Sequence, residues 1–88
     1  MRKKETFIVR NVGGSNIMVP IGETSKKFSG LITANETAAF IWEHIERAQN
    51  IKELAQLLCE EFEVTFENAL NDCTILVENL KKAGWIEE

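Results

Sequence analysis

The 88-residue sequence predicts an α+β fold in which three short antiparallel strands are followed by three helices. Two observations carry this reading. The hydrophobic period changes near residue 35, from strand-like alternation to apolar residues recurring at i, i+3, i+4 and i+7. Before the change, Gly13-Gly14-Ser15-Asn16 separates two β-rich runs, as the turn of a hairpin does. A mass of 10.0 kDa and a 44% apolar composition with a single proline suit one small globular domain spanning residues 1–88.

The first strand is Phe7-Ile8-Val9-Arg10-Asn11-Val12. Ile17, Val19 and Ile21 alternate with Met18 and Pro20, which predicts a second strand with one side facing a core. Pro20 has no N–H to give a ladder and belongs beside an edge or bulge. Gly22 to Lys27 reads as a polar connection, and Phe28-Ser29-Gly30-Leu31-Ile32 as the third strand.

The first helix opens with Asn35 as N-cap and Glu36 at the positive end of the dipole. Its stripe is Ala38, Ile41, Trp42 and Ile45, and it should end near Arg47. Asn50 caps the second helix, with Ile51, Leu54, Ala55, Leu58 and Phe62 on one face. Thr65 caps the third, whose stripe is Phe66, Ala69, Leu70, Cys73, Leu76, Val77 and Leu80. Lys81 and Lys82 suit its negative end, Gly84 its C′ position, and Trp85-Ile86 should fold back on the core. Glu63-Val64-Thr65 joins the last two helices tightly, so the whole is winged helix-turn-helix-like.

Several function classes are disfavoured. No apolar run reaches the length of a membrane span, and no h-region follows the charged start Met1 to Glu5. The expectation is a cytoplasmic chain with no membrane partner. Cys59 and Cys73 lack a CxxC spacing and are expected as reduced thiols. His44 is the one histidine, with no Cys-His or Ser-His-Asp pattern beside it. His44, Cys59 and Cys73 fall on three different helices, which does not make a metal site. The neighbours Glu60-Glu61 diverge on a helix, and Gly13-Gly14 has no GK[ST] after it. These residues predict no catalytic residue, no metal, no cofactor and no enzyme.

Charge bears on nucleic acid. Residues 1–35 hold six basic and two acidic side chains, residues 36–88 four basic and twelve acidic, for a net −4. A helix-turn-helix reader would use the start of the third helix, here Phe66-Glu67-Asn68-Ala69-Leu70-Asn71-Asp72. It has two acids and no Lys or Arg, although phosphate neutralisation supplies much of such affinity. A winged-helix DNA-binding regulator is therefore the weaker alternative. A self-associating structural module is a third.

On a 100° wheel, Phe66, Leu70, Cys73, Val77 and Leu80 share the core face of the third helix. Ile75 falls nearly opposite and Leu76 at the edge, beside Asn68, Asp72 and Asn79, forming a mixed second face. A short third strand with Ser29 and Gly30 at a sheet edge offers free backbone groups. An extended peptide adding to that edge would rest its side chains on the second face. Gly30→Pro tests this if the Gly30 N–H points outward.

Gly30-Leu31-Ile32-Thr33-Ala34-Asn35-Glu36-Thr37 runs into Ala38-Ala39-Phe40-Ile41-Trp42-Glu43, then Ile51-Lys52-Glu53-Leu54 and Leu58 to Val64. Ala69, Asp72, Leu76, Leu80 and Ala83-Gly84-Trp85-Ile86 complete the series. In order and spacing it resembles the coenzyme PQQ synthesis protein D (PqqD) family over nearly the whole chain. Ala34 stands where that family usually has leucine, and Arg47 where glycine is common. The resemblance implies a non-catalytic winged-helix-like domain that acts as a peptide chaperone. It implies binding of the leader segment of a ribosomally made precursor peptide, and presentation to a modifying enzyme, typically a radical S-adenosylmethionine enzyme. By that resemblance the leader adds beside the third strand and contacts the third helix. The matching positions are Phe28, Ser29, Gly30, Leu31 and Ile32, with Asp72, Ile75, Leu76 and Asn79; Asn68 joins them from the residue reading.

Overall fold

Two glycines set the geometry of the first half of the chain. In the computed structural model, which describes residues 1–87, Gly13 and Gly14 have φ of 59° and 85°. Positive φ at both central positions makes the two-residue type I′ turn, whose twist matches that of the strands it joins. The turn pairs β2 (Phe7–Val12) with β3 (Ser15–Pro20) from Val12↔Ser15 through Val9↔Met18 to Phe7↔Pro20. Before them lies β1 (Arg2–Lys3). After them come α1 (Thr24–Lys27), β4 (Ile32–Ala34), α2 (Glu36–His44), α3 (Ile51–Glu61), α4 (Phe66–Ala83) and β5 (Ile86–Glu87). The main sheet is antiparallel in the order β2-β3-β4, and β1 pairs with β5 in a two-stranded ribbon.

The α+β class and the helix-turn-helix beside a sheet are as the sequence predicts, with local corrections. The third strand of the main sheet is Ile32–Ala34, not Phe28–Ile32. Phe28 instead caps the one-turn helix α1, where a polar connection was expected, and its N–H donates to Thr24 O at 3.0 Å. Gly30 then bends the chain at φ 89°, a left-handed conformation foreign to a strand. The buried side of β3 is the even one: Met18 is buried, while Ile17 and Val19 are half-buried on the outer face and Ile21 is exposed. Alternation allowed either parity. The partners decide it, since Met18 lies between Val9 and Ile32 on the face that meets the helices.

The helix ends follow local chemistry. Asn35 Oδ1 accepts the Ala38 N–H at 2.8 Å, Asn50 Oδ1 the Glu53 N–H at 2.9 Å, and Thr65 Oγ1 the Asn68 N–H at 3.2 Å. Gly84 closes α4 at φ 79°, and Trp85 N–H reaches back to Leu80 O at 3.0 Å. Ile86 is thereby buried. The core gathers Trp42, Ile41, Ile45, Leu54, Leu58, Cys73 and Val77, all with essentially no solvent contact. Phe66, expected in this stripe, is 42% exposed at the first position of α4.

Trp42 ties helices to sheet: its Nε1–H donates to Phe7 O at 3.2 Å. Phe7 stacks on Trp85 with ring centroids 4.3 Å apart, and Phe28 meets both rings at 5.6 and 5.5 Å. Through Trp85 this aromatic cluster reaches Ile32 and Ala34 of β4.

Candidate functional site

The hairpin dictates which backbone groups are free. In a two-residue hairpin the residues flanking the turn exchange hydrogen bonds, and alternate residues do so thereafter. Ser15, Ile17 and Val19 thus bond to β2, and Ile21 continues the series by donating to Thr6 O at 3.0 Å. Asn16 and Met18 therefore turn their amides the other way, to Ala34 and Ile32 of β4. Pro20 also turns that way, beyond the end of the β4 ladder, so its missing N–H leaves no bond unmade. Thr33 is left with its N–H and C=O pointing away from β3. β4 is the edge of the sheet, and among the described residues no strand pairs with that side.

Beneath this edge runs a groove with two compartments. One, about 280 Å³, is lined by Met18, Ile32, Ala34, Leu76, Leu80 and Trp85, with Trp42 and Ala38 behind them. The other, about 220 Å³, lies between the start of α2 (Asn35, Thr37) and Asp72, Ile75, Leu76 and Asn79 of α4. The two share Asn35, Ala38 and Leu76.

The wall of the groove is a second stripe on α4. Ala69, Cys73, Val77 and Leu80 are buried against the core, whereas Asp72, Ile75, Leu76 and Asn79 follow the same spacing on the adjoining flank. Ile75 is 52% exposed and Leu76 half-buried, as the helical wheel predicts. Asp72 and Asn79 are exposed, and the Asp72 carboxylate makes no hydrogen bond or ion pair among the described residues.

The residues singled out from the sequence divide into two groups. Ile32, Asp72, Ile75, Leu76 and Asn79 come together in the groove. Leu31, 65% exposed, stands immediately before β4 at its open edge. Phe28 is taken up by the aromatic cluster, where it packs against Trp85. Ser29 and Gly30 form the bend leading to the edge, and Asn68 lies one turn before Asp72. Because Gly30 has positive φ, Gly30→Pro would disrupt the fold whatever its amide does, and it is unsuitable as a test of binding. Sequence reasoning missed Thr33, Ala34, Asn35, Thr37 and Ala38 as lining residues. Their one advance signal was the N-cap at Asn35, which fixes where α2 begins.

Reactive chemistry is sparse. Burial pushes the Cys73 thiol up to about 11, so it stays protonated near neutrality; Cys59 is half-buried, and both are free thiols. His44 stacks on Phe40 at 4.0 Å and donates Nδ1–H to Phe40 O at 2.8 Å, which occupies it structurally. Among the described residues no three His, Cys, Asp or Glu side chains gather as metal ligands. No described helix is long and apolar enough to cross a membrane.

Comparison with curated proteins returned no match. A solved structure described as TbiB1 in complex with the TbiA(beta) leader peptide shares the fold. Its TM-score is 0.67, over 99% of this chain and 95% of that one, at 13% sequence identity. Comparison with protein families matches residues 16–86 to coenzyme PQQ synthesis protein D (PqqD). That match takes in the β3-β4 edge, α2 and all of α4, the elements that build the groove. The chain belongs to the PqqD family.

Proposed function

We propose that this protein, acting as one recognition domain, binds the leader segment of a ribosomally made precursor peptide and presents it to a modifying enzyme. The leader adds as a fourth strand on the open side of β4, exchanging hydrogen bonds with Thr33, while its inward side chains enter the groove along α4. The carrying observation is that Thr33 has free backbone groups directly beside a groove walled by Leu76 and Leu80. Backbone pairing supplies register, and seating apolar side chains over Leu76 and Leu80 supplies most of the affinity. The likeness to TbiB1, solved with a leader peptide, supports this reading.

The binding edge is Ile32–Ala34, with Leu31 extending it; Ser29 and Gly30 set its approach, and Phe28 acts by holding Trp85 beneath it. Asn68 extends the α4 wall beyond Asp72. The partner enzyme is a peptide-modifying enzyme of the radical S-adenosylmethionine type, and this chain contributes recognition without chemistry of its own. It acts in the cytoplasm, where precursor and enzyme meet.

The test uses synthetic peptides matching short reading frames adjacent to the gene. Each is titrated into the full chain while amide shifts and tryptophan emission are followed, since Trp42 and Trp85 line the groove. Shifts concentrated at residues 31–35 and 72–80 are expected. Saturable binding that leaves those amides unmoved refutes strand addition. Sedimentation at several concentrations addresses the remaining use of an open edge, pairing with a second copy of the chain.

A further inference from the structure

The two ends of the groove differ in chemistry, and the difference specifies a ligand. The end formed by Met18, Ile32, Leu80 and Trp85 is apolar. The end where α2 begins sets Asn35, Thr37, Asp72 and Asn79 beside Ile41, Ile75 and Leu76, and it holds the groove's one formal charge. Among the described residues the Asp72 carboxylate has no ion-pair partner, and the lysines of α4 are Lys81 and Lys82, nine and ten residues along the helix. That separation is about 13–15 Å at 1.5 Å per residue. Asn35 Oδ1 is occupied by the Ala38 N–H and the Thr37 hydroxyl at 2.8 and 3.0 Å, so Asn35 has only its amide N–H groups to offer. Asp72 is thus the strong acceptor at this end.

Spacing converts this contrast into a pattern. Leu76 and Asp72 are one helical turn apart, about 6 Å along α4. Same-side residues of an extended strand are about 6.7 Å apart. For an added strand running along α4, a peptide side chain seated over Leu76 has its i±2 neighbour opposite Asp72. An uncompensated carboxylate beside a desolvated apolar contact favours a cation there and repels an acid. We infer that the peptide recognised here carries a bulky apolar residue with a lysine or arginine two positions away, the first filling the Leu76–Leu80–Trp85 pocket and the second meeting Asp72. The inference rests on strand addition at β4 and adds to it the chemistry of the segment bound.

The test selects binders to the full chain from a phage-displayed library of random twelve-residue peptides. The tightest selected peptide is then synthesised with its own sequence, with Gln and with Glu at the position predicted to face Asp72. Affinities for the wild type and for Asp72→Asn and Asp72→Lys follow from tryptophan emission. The expected result is enrichment of Lys or Arg two residues from a large apolar residue. The Gln peptide should bind the wild type about fivefold more weakly, and the Glu peptide more weakly still. Asp72→Asn should level these differences, and Asp72→Lys should invert the order, with the melting temperature unchanged because Asp72 is exposed. Selected peptides without a cation at i±2, or an order that Asp72→Lys leaves intact, overturn the charge assignment. Strand addition is judged separately by the Thr33 amide resonance. If it stays unmoved by a bound peptide of any charge, strand addition fails, and a library that yields no binder overturns both.

Discussion

Replacing Thr33 by proline separates binding from folding. The Thr33 N–H faces the open edge and takes no part in the β3 ladder, which Ile32 and Ala34 sustain. Proline is tolerated where a strand amide faces outward, and it biases the preceding residue, Ile32, toward the extended conformation it already has. The unliganded fold should therefore lose no more than about 1 kcal/mol. Binding should lose more. An added antiparallel strand exchanges two hydrogen bonds with Thr33, and proline deletes one, a net loss of about 1 kcal/mol. It also leaves a ligand carbonyl facing a methylene ring, and an unsatisfied acceptor costs a further 1–2 kcal/mol or so. Together these amount to about 2–3 kcal/mol, a weakening of roughly 30- to 150-fold. Fluorescence anisotropy of a labelled leader peptide measures the affinity, and thermal unfolding the stability. Thr33→Val is the control, since it keeps the N–H and alters only a side chain on the outer face. A folded Thr33→Pro variant that binds as well as wild type would refute strand pairing at β4.

Ala38→Leu should fill part of both compartments, lowering peptide affinity at least about tenfold in the same titration while leaving the melting temperature unchanged or slightly raised. At pH 8, Cys73 should resist a thiol reagent until the chain unfolds, while half-buried Cys59 reacts natively. Because burial raises the Cys73 thiol to about 11, stability should fall as pH rises from about 9 through 11, read from urea midpoints across that range. The Lys27 ammonium, at 2.9 Å, and then the Thr24 hydroxyl hold the Glu5 carboxyl below its usual 4.5. The stability this carboxylate contributes is present above 4.5 and lost as acid protonates it, so Glu5→Gln should flatten the fall in melting temperature below about pH 4.5.

What could be read from the sequence was whatever local chemistry or period fixes. The caps Asn35, Asn50, Thr65 and Gly84 act within four residues of themselves, and each does in the structure what its type implies. The second stripe of α4 was legible because a long helix with one apolar face must turn the remaining residues elsewhere, and Ile75 had no place in the core. The third strand was misplaced because the sequence Phe28–Ile32 is β-rich, while the positive φ at Gly30 leaves no mark in composition. The parity of β3 was ambiguous because both of its faces carry large apolar residues. Only the cross-strand partners Val9 and Ile32 decide it, and they are distant in sequence. Ala34 and Ala38 line the groove by being small, a property that carries no signal until the elements around them are placed. The ribbon of β1 and β5 joins opposite ends of the chain through two residues each, below the length at which alternation can be detected.

The helix-turn-helix raises the question of why this scaffold would hold a peptide rather than a duplex. A helix that reads DNA presents its N-terminal turns to the major groove and depends on nearby cations to hold phosphate. In α4 those turns expose Phe66, Glu67, Asn68, Asn71 and Asp72, and the first lysine follows fifteen residues after the helix begins, about 22 Å away along the axis. Delivered tip-first, this helix would repel the backbone it approached. Its flank faces the other way in chemistry as well as in space: Leu76 and Leu80 lie across the groove from a strand with one free amide and one free carbonyl. A duplex cannot use that backbone pair, because its bases and phosphates do not repeat at the spacing of a β-ladder. An extended polypeptide can, and it meets Thr33 and Leu76 together without any rearrangement of the sheet. Partner class is thus decided by which surface of α4 carries the usable groups, the tip or the side, and here it is the side.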